Sequence, residues 1–171
     1  GFPQENYSNA YMERGKRMEG EARNLYSLLA DVEPKQVGFI RTDLGPNLPL
    51  GCSPDSLIEE DGMLEVKSKM PHLLLDVLLR DKVPTEHYAQ CQGGLLVAER
   101  DWIDFIAYWP RLDLFQRRIY RDEPYLKRLR LEIKEFNEEL NAIVYHFRNR
   151  RPSFEAPQPS NKSSTIVDVS F

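Results

Sequence analysis

The stretch SPDSLIEEDGMLEVK, residues 53–67, decides the fold and the chemistry of this chain. Side chains of a strand alternate between two faces, so Glu65 and Lys67 should emerge together while their apolar neighbours point into a core. Pro54 has no backbone N–H to donate and favours a strand end or edge, so Asp55 can meet Glu65 from a neighbouring strand. Two carboxylates beside a lysine suit Mg²⁺, a hard ion held by carboxylates, waters and a substrate phosphate.

Composition limits the classes of protein that fit. The 171 residues are 41% hydrophobic and 29% charged, which predicts one globular domain. No apolar run approaches the roughly 20 residues that span a bilayer, so we expect no membrane association and a cytoplasmic protein. Cys52 and Cys91 lack the number and spacing of a zinc or iron–sulfur site. A net charge of −4 argues against a protein that simply coats nucleic acid, but not against a nuclease.

The apolar pattern around the central stretch predicts alternating helices and strands, and therefore an α/β sheet covered by helices. Residues 59–62 should turn between the two halves of a strand pair. The predicted elements are a helix from about Asn9 to Ala30, strands Val37–Thr42, Leu50–Ile58 and Met63–Ser68, a short helix Leu73–Arg80, a helix opening at Pro84, strands Trp102–Trp109 and Leu114–Tyr120, and a long helix from about Asp122.

The long helix has a seven-residue apolar rhythm from Leu126 to Phe147. This rhythm favours a helix that covers the sheet, with a coiled-coil partner site as the alternative. We predict a nuclease domain over residues 1–150 and a Pro/Ser-rich tail over residues 151–171, in which Thr165–Val169 could add a strand to another edge.

Further polar residues have both a functional and a plain interpretation. Glu19 should lie near the inward side of the first helix, as a third carboxylate of the site or as a flank residue paired with Arg23. Gln90 and Gln92, next to two glycines, favour contact with a phosphate or a base edge, and a polar helix surface is the alternative. Several basic residues near these motifs could follow a DNA backbone or form a solvated face; they include Arg14, Arg17 and Lys69.

In order along the chain, these motifs resemble the lambda exonuclease and YqaJ-type viral recombinase family, within the PD-(D/E)xK nucleases of restriction-endonuclease-like fold. The resemblance runs through residues 14–26, 51–57, 64–67 and 87–92 and ends near residues 107–111. It implies a mixed β-sheet flanked by α-helices. It also implies a Mg²⁺-dependent 5′→3′ exonuclease that leaves 3′ single-stranded overhangs.

The resemblance implies a role for each matching residue. Asp55 and Glu65, with the backbone carbonyl of Val66, would hold two Mg²⁺ ions, for which Mn²⁺ is expected to substitute, and Glu19 would assist. Lys67 would orient or help deprotonate the attacking water. Ser53, Gln90 and Gln92 would contact DNA, and Ser53 and Gln90 match positions that grip the 5′-phosphate end. The family's leading helical segment is not seen here, so a strict 5′-phosphate requirement is not expected.

The resemblance also implies partners: double-stranded DNA ends, a ring-shaped homotrimer, a single-strand annealing protein, and a phage or prophage origin in a bacterial host. Two other functions stay open. A structure- or sequence-specific endonuclease could share the same motif. A non-catalytic DNA-binding module would have no need to hold Asp55, Glu65 and Lys67 together at a desolvation cost.

Overall fold

The computed structural model describes residues 10–150 of the chain. The predictions for Asn9 and for the tail over residues 151–171, including Thr165–Val169, lie outside the described residues. The elements are α1 (Ala10–Ala30), β1 (Ile40–Asp43), β2 (Pro49–Cys52), β3 (Ser56–Ile58), β4 (Gly62–Ser68), α2 (Pro71–Arg80), a 3₁₀ turn (Thr85–His87), α3 (Tyr88–Ala98), β5 (Trp102–Tyr108), β6 (Phe115–Tyr120) and α4 (Glu123–Asn149). In the described part, no helix is long and apolar enough to cross a membrane.

The centre of the fold is a four-stranded mixed sheet in the order β3-β4-β5-β6. β4 and β5 run parallel, joined through α2 and α3, and the two outer pairs are antiparallel. The α/β prediction with a mixed sheet flanked by helices is confirmed. Both faces of the sheet are covered, which explains the nearly continuous burial of β4 and β5.

Alternation along β4 divides its side chains between two cores. Leu64 and Val66 pack under α1 together with Ala22 and Tyr26. Met63 packs with residues of α2 and α3 on the opposite face. The backbone of α3 comes close to this face, because a Cβ added at Gly94 would lie 3.2 Å from the Met63 side chain. Glu65 and Lys67 therefore lie on the α3 side, facing away from Leu64 and Val66 as predicted.

Two predicted strands differ from the observed ones. The strand predicted as Val37–Thr42 is Ile40–Asp43, since its ladder ends where Ile40 pairs with Cys52, the last residue of β2. The strand predicted as Leu50–Ile58 is divided in two: β2 pairs with β1 in a separate two-stranded sheet, and β3 pairs with β4. Residues 53–55 interrupt it because Pro54 cannot donate a ladder hydrogen bond. The interruption separates Asp55 from the regular strand.

The prediction that α4 covers the sheet holds only for its first turns. Leu126 is fully buried, and Asp122 caps the helix by accepting a hydrogen bond from the Tyr125 backbone N–H at 3.0 Å. Farther along, the same apolar stripe faces solvent, with Phe136 and Phe147 each 64% exposed. Beyond its first turns the helix meets the β1–β2 loop, where the Asn137 amide donates to the Asn47 carbonyl at 3.3 Å, and its apolar stripe from Phe136 onward stays exposed.

Candidate active site

Asp55 and Glu65 lie side by side at the edge between β3 and β4. The register pairs Ser56 with Leu64, so the next position in each direction brings Asp55 alongside Glu65. The Asp55 carboxylate accepts a hydrogen bond from the Val66 backbone N–H at 2.6 Å. Burial, and then the negative charge of Glu65, raise the pKa of Asp55 to about 6. Two carboxylates thus share a partly desolvated space in which their charges repel.

The Glu65 carboxylate is held by two donors from different elements. The Lys67 ammonium donates to Glu65 Oε1 at 2.5 Å, and the Gln90 amide donates to the same oxygen at 2.7 Å. Gln90 lies in the first turn of α3, so this bond ties α3 to β4 beside the site. The structure brings Asp55, Glu65, Lys67 and Gln90 into one cluster, as the sequence motifs predict.

Glu19 reaches the same cluster from α1. Its charge contributes to the raised pKa of Asp55, which indicates that the two carboxylates are near each other. Glu19 also forms an ion pair with Arg23 one turn later in the helix. Glu19 is therefore both the ion-pair partner of Arg23 and a third acidic group near Asp55 and Glu65.

A cleft of about 370 Å³ opens next to Glu65, between α3, β2 and the start of α4. Ser53 and Gln90 line it together with Glu65. Most of its other lining residues are apolar, among them Leu129 and Ile133 of α4. A few polar side chains that face an otherwise apolar lining are typical of a site that binds a small organic ligand.

The predicted basic residues differ in exposure and in their partners. Lys69 is mostly buried and lies 3.6 Å from a Glu86 carboxylate oxygen. On α1, the Arg14 guanidinium lies 5.7 Å from the centre of the Trp109 ring. Arg17 is the most exposed of the three, and its Nε lies 3.9 Å from Glu21 Oε1.

The prediction that Gln92 contacts DNA is wrong in this structure. Gln92 is fully buried, its amide nitrogen donates to the Tyr120 carbonyl at 2.9 Å, and its oxygen accepts from the Asp122 N–H at 3.0 Å. Both polar atoms are therefore used to join α3 to the start of α4. Most of α3 is buried, whereas Gln90 is exposed and lines the cleft.

His87 was not predicted as a site residue. Its ring stacks on Phe105 with 5.2 Å between ring centres, and its buried Nε2 has no hydrogen-bond partner among the described residues. Burial lowers the pKa of His87, and the charges of Lys69 and Lys67 lower it further. The only sequence signal was its position next to the glutamine motif, which is too short to separate this residue from an ordinary helix start.

A second buried polar group, on the α1 face of the sheet, anchors α1. The Tyr26 hydroxyl donates to the Asp104 carboxylate at 2.6 Å. Arg118 forms a bidentate ion pair with the same carboxylate, at 2.8 and 2.9 Å. Burial, and then the bond to Asp104, raise the pKa of Tyr26. Since Tyr26 lies two turns after Glu19 on α1, this anchor also helps to fix the depth of Glu19.

Residues 1–101 match the model of the YqaJ-like viral recombinase domain. This match covers more than half of the chain and all of the residues in the cluster. The chain belongs to the YqaJ-like viral recombinase family. No match was found among curated proteins.

Exonucleases are among the solved structures similar to this YqaJ-like chain. The alkaline exonuclease of Laribacter hongkongensis is 28% identical, with a TM-score of 0.75 over 83% of this chain and 74% of that one. A structure of the same exonuclease in complex with dAMP is 29% identical, with a TM-score of 0.75 over 84% and 75% of the two chains. A phage-related exonuclease from Haemophilus somnus 129PT, at 12% identity and a TM-score of 0.55 over 84% and 78%, is similar in fold alone. The YqaJ-like chain is thus a nuclease.

The YqaJ-like family is one of metal-dependent nucleases, and the donor set here fits a hard divalent ion. Within residues 10–150, no three His, Cys, Asp or Glu side chains converge closely enough to hold an ion by themselves. Two carboxylates completed by a backbone carbonyl and waters suit Mg²⁺. The crowding that raises the pKa of Asp55 favours a cation there, since a positive ion would relieve the repulsion between Asp55 and Glu65.

Proposed function

We propose that this chain is a Mg²⁺-dependent 5′→3′ exonuclease that degrades one strand of double-stranded DNA and leaves a 3′ single-stranded overhang. The observation that carries the proposal is the convergence of Asp55, Glu65 and the Lys67 ammonium in one cluster, beside a cleft that Glu65 lines. In this proposal the cluster is a PD-(D/E)xK arrangement, in which two carboxylates and a lysine act on one phosphodiester.

In this proposal Asp55, Glu65 and the carbonyl of Val66 hold two ions, Glu19 assists, and Mn²⁺ substitutes for Mg²⁺. Two bound ions would supply a polarised water on one side of the phosphorus and charge stabilisation of the leaving oxygen on the other. The protein's contribution is to hold its oxygens at the right positions before the substrate arrives, which is the larger part of electrostatic catalysis.

Lys67 has two tasks in the proposal. Its ammonium, now bonded to Glu65, lies where it can orient the attacking water and offset negative charge on the phosphate. Gln90 donates to the same Glu65 oxygen, so Glu65 keeps one of its donors when Lys67 turns towards substrate. Lys67 acts as a positive charge at the reacting phosphate.

Attack at a chain end is supported by the cleft. Ser53 and Gln90 at its rim can donate hydrogen bonds to a terminal phosphate, and bonds to an ionised group are the stronger kind. Arg14, Arg17 and Lys69 would follow the phosphate backbone outside it. The Laribacter hongkongensis exonuclease was solved in complex with dAMP, a mononucleotide of the size that an exonuclease releases.

Assembly is the last part of the proposal: a ring-shaped homotrimer threaded by DNA, working with a single-strand annealing protein in the cytoplasm of a bacterial host. The exposed apolar stripe on distal α4 supports it, because such stripes mark contacts with other chains. A closed ring can also turn basic residues inward although the net charge is −4.

One assay tests the central proposal. A linear duplex labelled separately at its 5′ and 3′ ends, and a closed circle, are incubated with the protein in Mg²⁺ or in EDTA. We expect loss of 5′-labelled mononucleotide from the linear duplex only, in Mg²⁺ only, and no loss in the Asp55→Ala or Glu65→Ala variant. Cutting of the circle would instead indicate an endonuclease, and binding without cutting a non-catalytic module.

A second assay separates the tasks of the two residues at the cleft rim. Gln90→Ala should slow hydrolysis of both phosphorylated and hydroxyl 5′ ends, because it removes a donor to Glu65. Ser53→Ala should slow hydrolysis of phosphorylated ends only. Equal rates on both kinds of end in the wild type and in the Ser53→Ala variant would contradict 5′-phosphate recognition by Ser53.

A further inference from the structure

Arg23 joins three segments of the chain at the back of the acidic cluster. Its Nε donates to the Ser56 hydroxyl at 2.9 Å, and its Nη2 donates to the Asp55 carbonyl at 3.3 Å and to the Glu19 carboxylate. With the Gln36 amide oxygen turned inward, that oxygen also accepts from Nη1 and Nη2 at 3.0 and 3.1 Å. The Arg23 side chain is only 12% exposed, so these bonds replace its solvation.

These bonds fix two acidic residues from different elements relative to each other. Glu19 is on α1, whereas Asp55 precedes β3, and Arg23 bonds to the side chain of one and the backbone of the other. The Ser56 hydroxyl closes the arrangement by donating to the same Asp55 carbonyl at 2.5 Å. A planar guanidinium has several donors in a fixed geometry, which an ammonium lacks.

The positive charge of Arg23 does not by itself explain why an arginine lies beside these two acidic residues. A permanent positive charge beside Asp55 and Glu19 should oppose the binding of a divalent cation there. Its fixed donor geometry should instead favour cation binding, because partners behind metal ligands orient them, and their loss typically lowers metal affinity by roughly 10–100-fold. The two effects have opposite signs, so they can be separated.

We infer that Arg23 is a positioning residue that holds Glu19 and the Asp55 backbone so that both carboxylates face one divalent-cation site. The inference rests on the proposed function, since it needs a cation at Asp55. It assigns Arg23 a role beyond the ordinary helix pair with Glu19.

The test measures Mn²⁺ binding directly, by the electron paramagnetic resonance signal of free Mn²⁺ titrated with protein. Arg23→Lys keeps the positive charge but removes the planar set of guanidinium N–H donors, and we expect it to weaken Mn²⁺ binding roughly ten-fold. Ser56→Ala removes the acceptor for Nε and the hydroxyl donor to the Asp55 carbonyl, leaves Arg23 itself in place, and should weaken binding several-fold, which provides a second variant if Arg23→Lys folds poorly. The control is Arg41→Gln, which removes an exposed arginine that lies 3.3 Å from Asp43 on β1 and should leave Mn²⁺ affinity unchanged.

Hydrolysis gives an independent measurement on the same variants. A positioning role predicts that Arg23→Lys raises the Mg²⁺ concentration needed for half-maximal rate and that saturating Mg²⁺ restores most of the rate. Wild-type Mn²⁺ affinity in Arg23→Lys and Ser56→Ala, with only a lower melting temperature, would overturn the inference about Arg23. Failure of the wild-type chain to bind Mn²⁺, or binding unaffected by Asp55→Asn, would overturn the metal site itself and with it the proposed function.

Discussion

The acidic cluster and the distal half of α4 depart in opposite ways from the rule that polar groups face water and apolar groups avoid it. At the cluster, charged Asp55 and Glu65 are largely withdrawn from water, and each has hydrogen-bond donors supplied by the fold. On distal α4, Phe136 and Phe147 are each 64% exposed to water. Both departures cost free energy in the isolated chain. The proposed function accounts for the first by a cation and a substrate, and for the second by another protein chain.

The largest expected effect breaks the cluster. Lys67→Met removes the ammonium that bonds Glu65, and we expect hydrolysis to fall on the order of 10²-fold or more, because charge stabilisation at the phosphate is lost. The control on the other region is Lys134→Met, which removes an exposed lysine that lies 3.9 Å from Glu138 on α4. Single-turnover rates on a 5′-labelled duplex make the comparison. Near wild-type turnover of Lys67→Met would contradict the assignment of the site.

Gln92 and Gln90 offer a sharper comparison within one helix. Gln92→Leu leaves the half-buried Tyr120 carbonyl and Asp122 N–H without their partner, and we expect it to lower the free energy of unfolding by about 1–3 kcal/mol. Gln90→Leu should change stability less and hydrolysis more, since Gln90 bonds Glu65 at the cleft. Urea unfolding and hydrolysis rates of both variants measure this. Weaker DNA binding by a stably folded Gln92→Leu variant would restore the original prediction for Gln92.

Ionisation of the Asp55 carboxyl should lower the free energy of unfolding of the metal-free protein. Its folded pKa of about 6 lies above its usual value of 3.8, so the folded state holds the proton more tightly than the unfolded state. Between these values, the free energy of unfolding therefore falls as the pH rises, and above pH 6 the full cost is present. After allowance for partial exposure we expect Asp55→Asn to gain about 1–2 kcal/mol at pH 7 while losing activity.

Urea unfolding in EDTA at pH 4, 5, 6 and 7 checks this prediction. The difference between Asp55→Asn and wild type should be small at pH 4 and should grow up to about pH 6. Adding Mg²⁺ should remove much of the difference, because a bound cation favours the ionised carboxylate. A destabilised Asp55→Asn variant at pH 7 would mean that the bond to the Val66 N–H outweighs the burial cost.

Much of the cluster could be predicted from the sequence because it depends on local geometry. Alternation along one strand places Glu65 and Lys67 together, and Pro54 marks the strand end that places Asp55. The role of Gln92 could not be read in this way. It depends on what packs around α3, and two glutamines two positions apart point to different sides of a helix.

The exposure of distal α4 could not be predicted from the sequence either. A seven-residue rhythm shows that one face of the helix is apolar, but it does not show what covers that face. In the structure Leu126 packs on the domain, whereas the later members of the same stripe extend beyond it. Helix length relative to the sheet decides this, and it is a property of the assembled fold. The alternative of a partner site therefore suits the distal half, and the covering helix suits the first turns.

The smallest expected effect on stability comes from the distal half of α4. Ile143 is 54% exposed, so Ile143→Glu should change the free energy of unfolding of one chain by no more than about 0.5 kcal/mol. If the stripe joins copies of the chain into a trimer, the same substitution should lower the mass measured by light scattering to that of a monomer, since a charge would be buried in the contact. Tyr145→Glu is the matched control, because Tyr145 is exposed on the side of α4 away from the stripe. A wild-type chain that is monomeric at micromolar concentration would rule out the trimer. In that case the apolar stripe would be the surface to test for binding of the annealing protein.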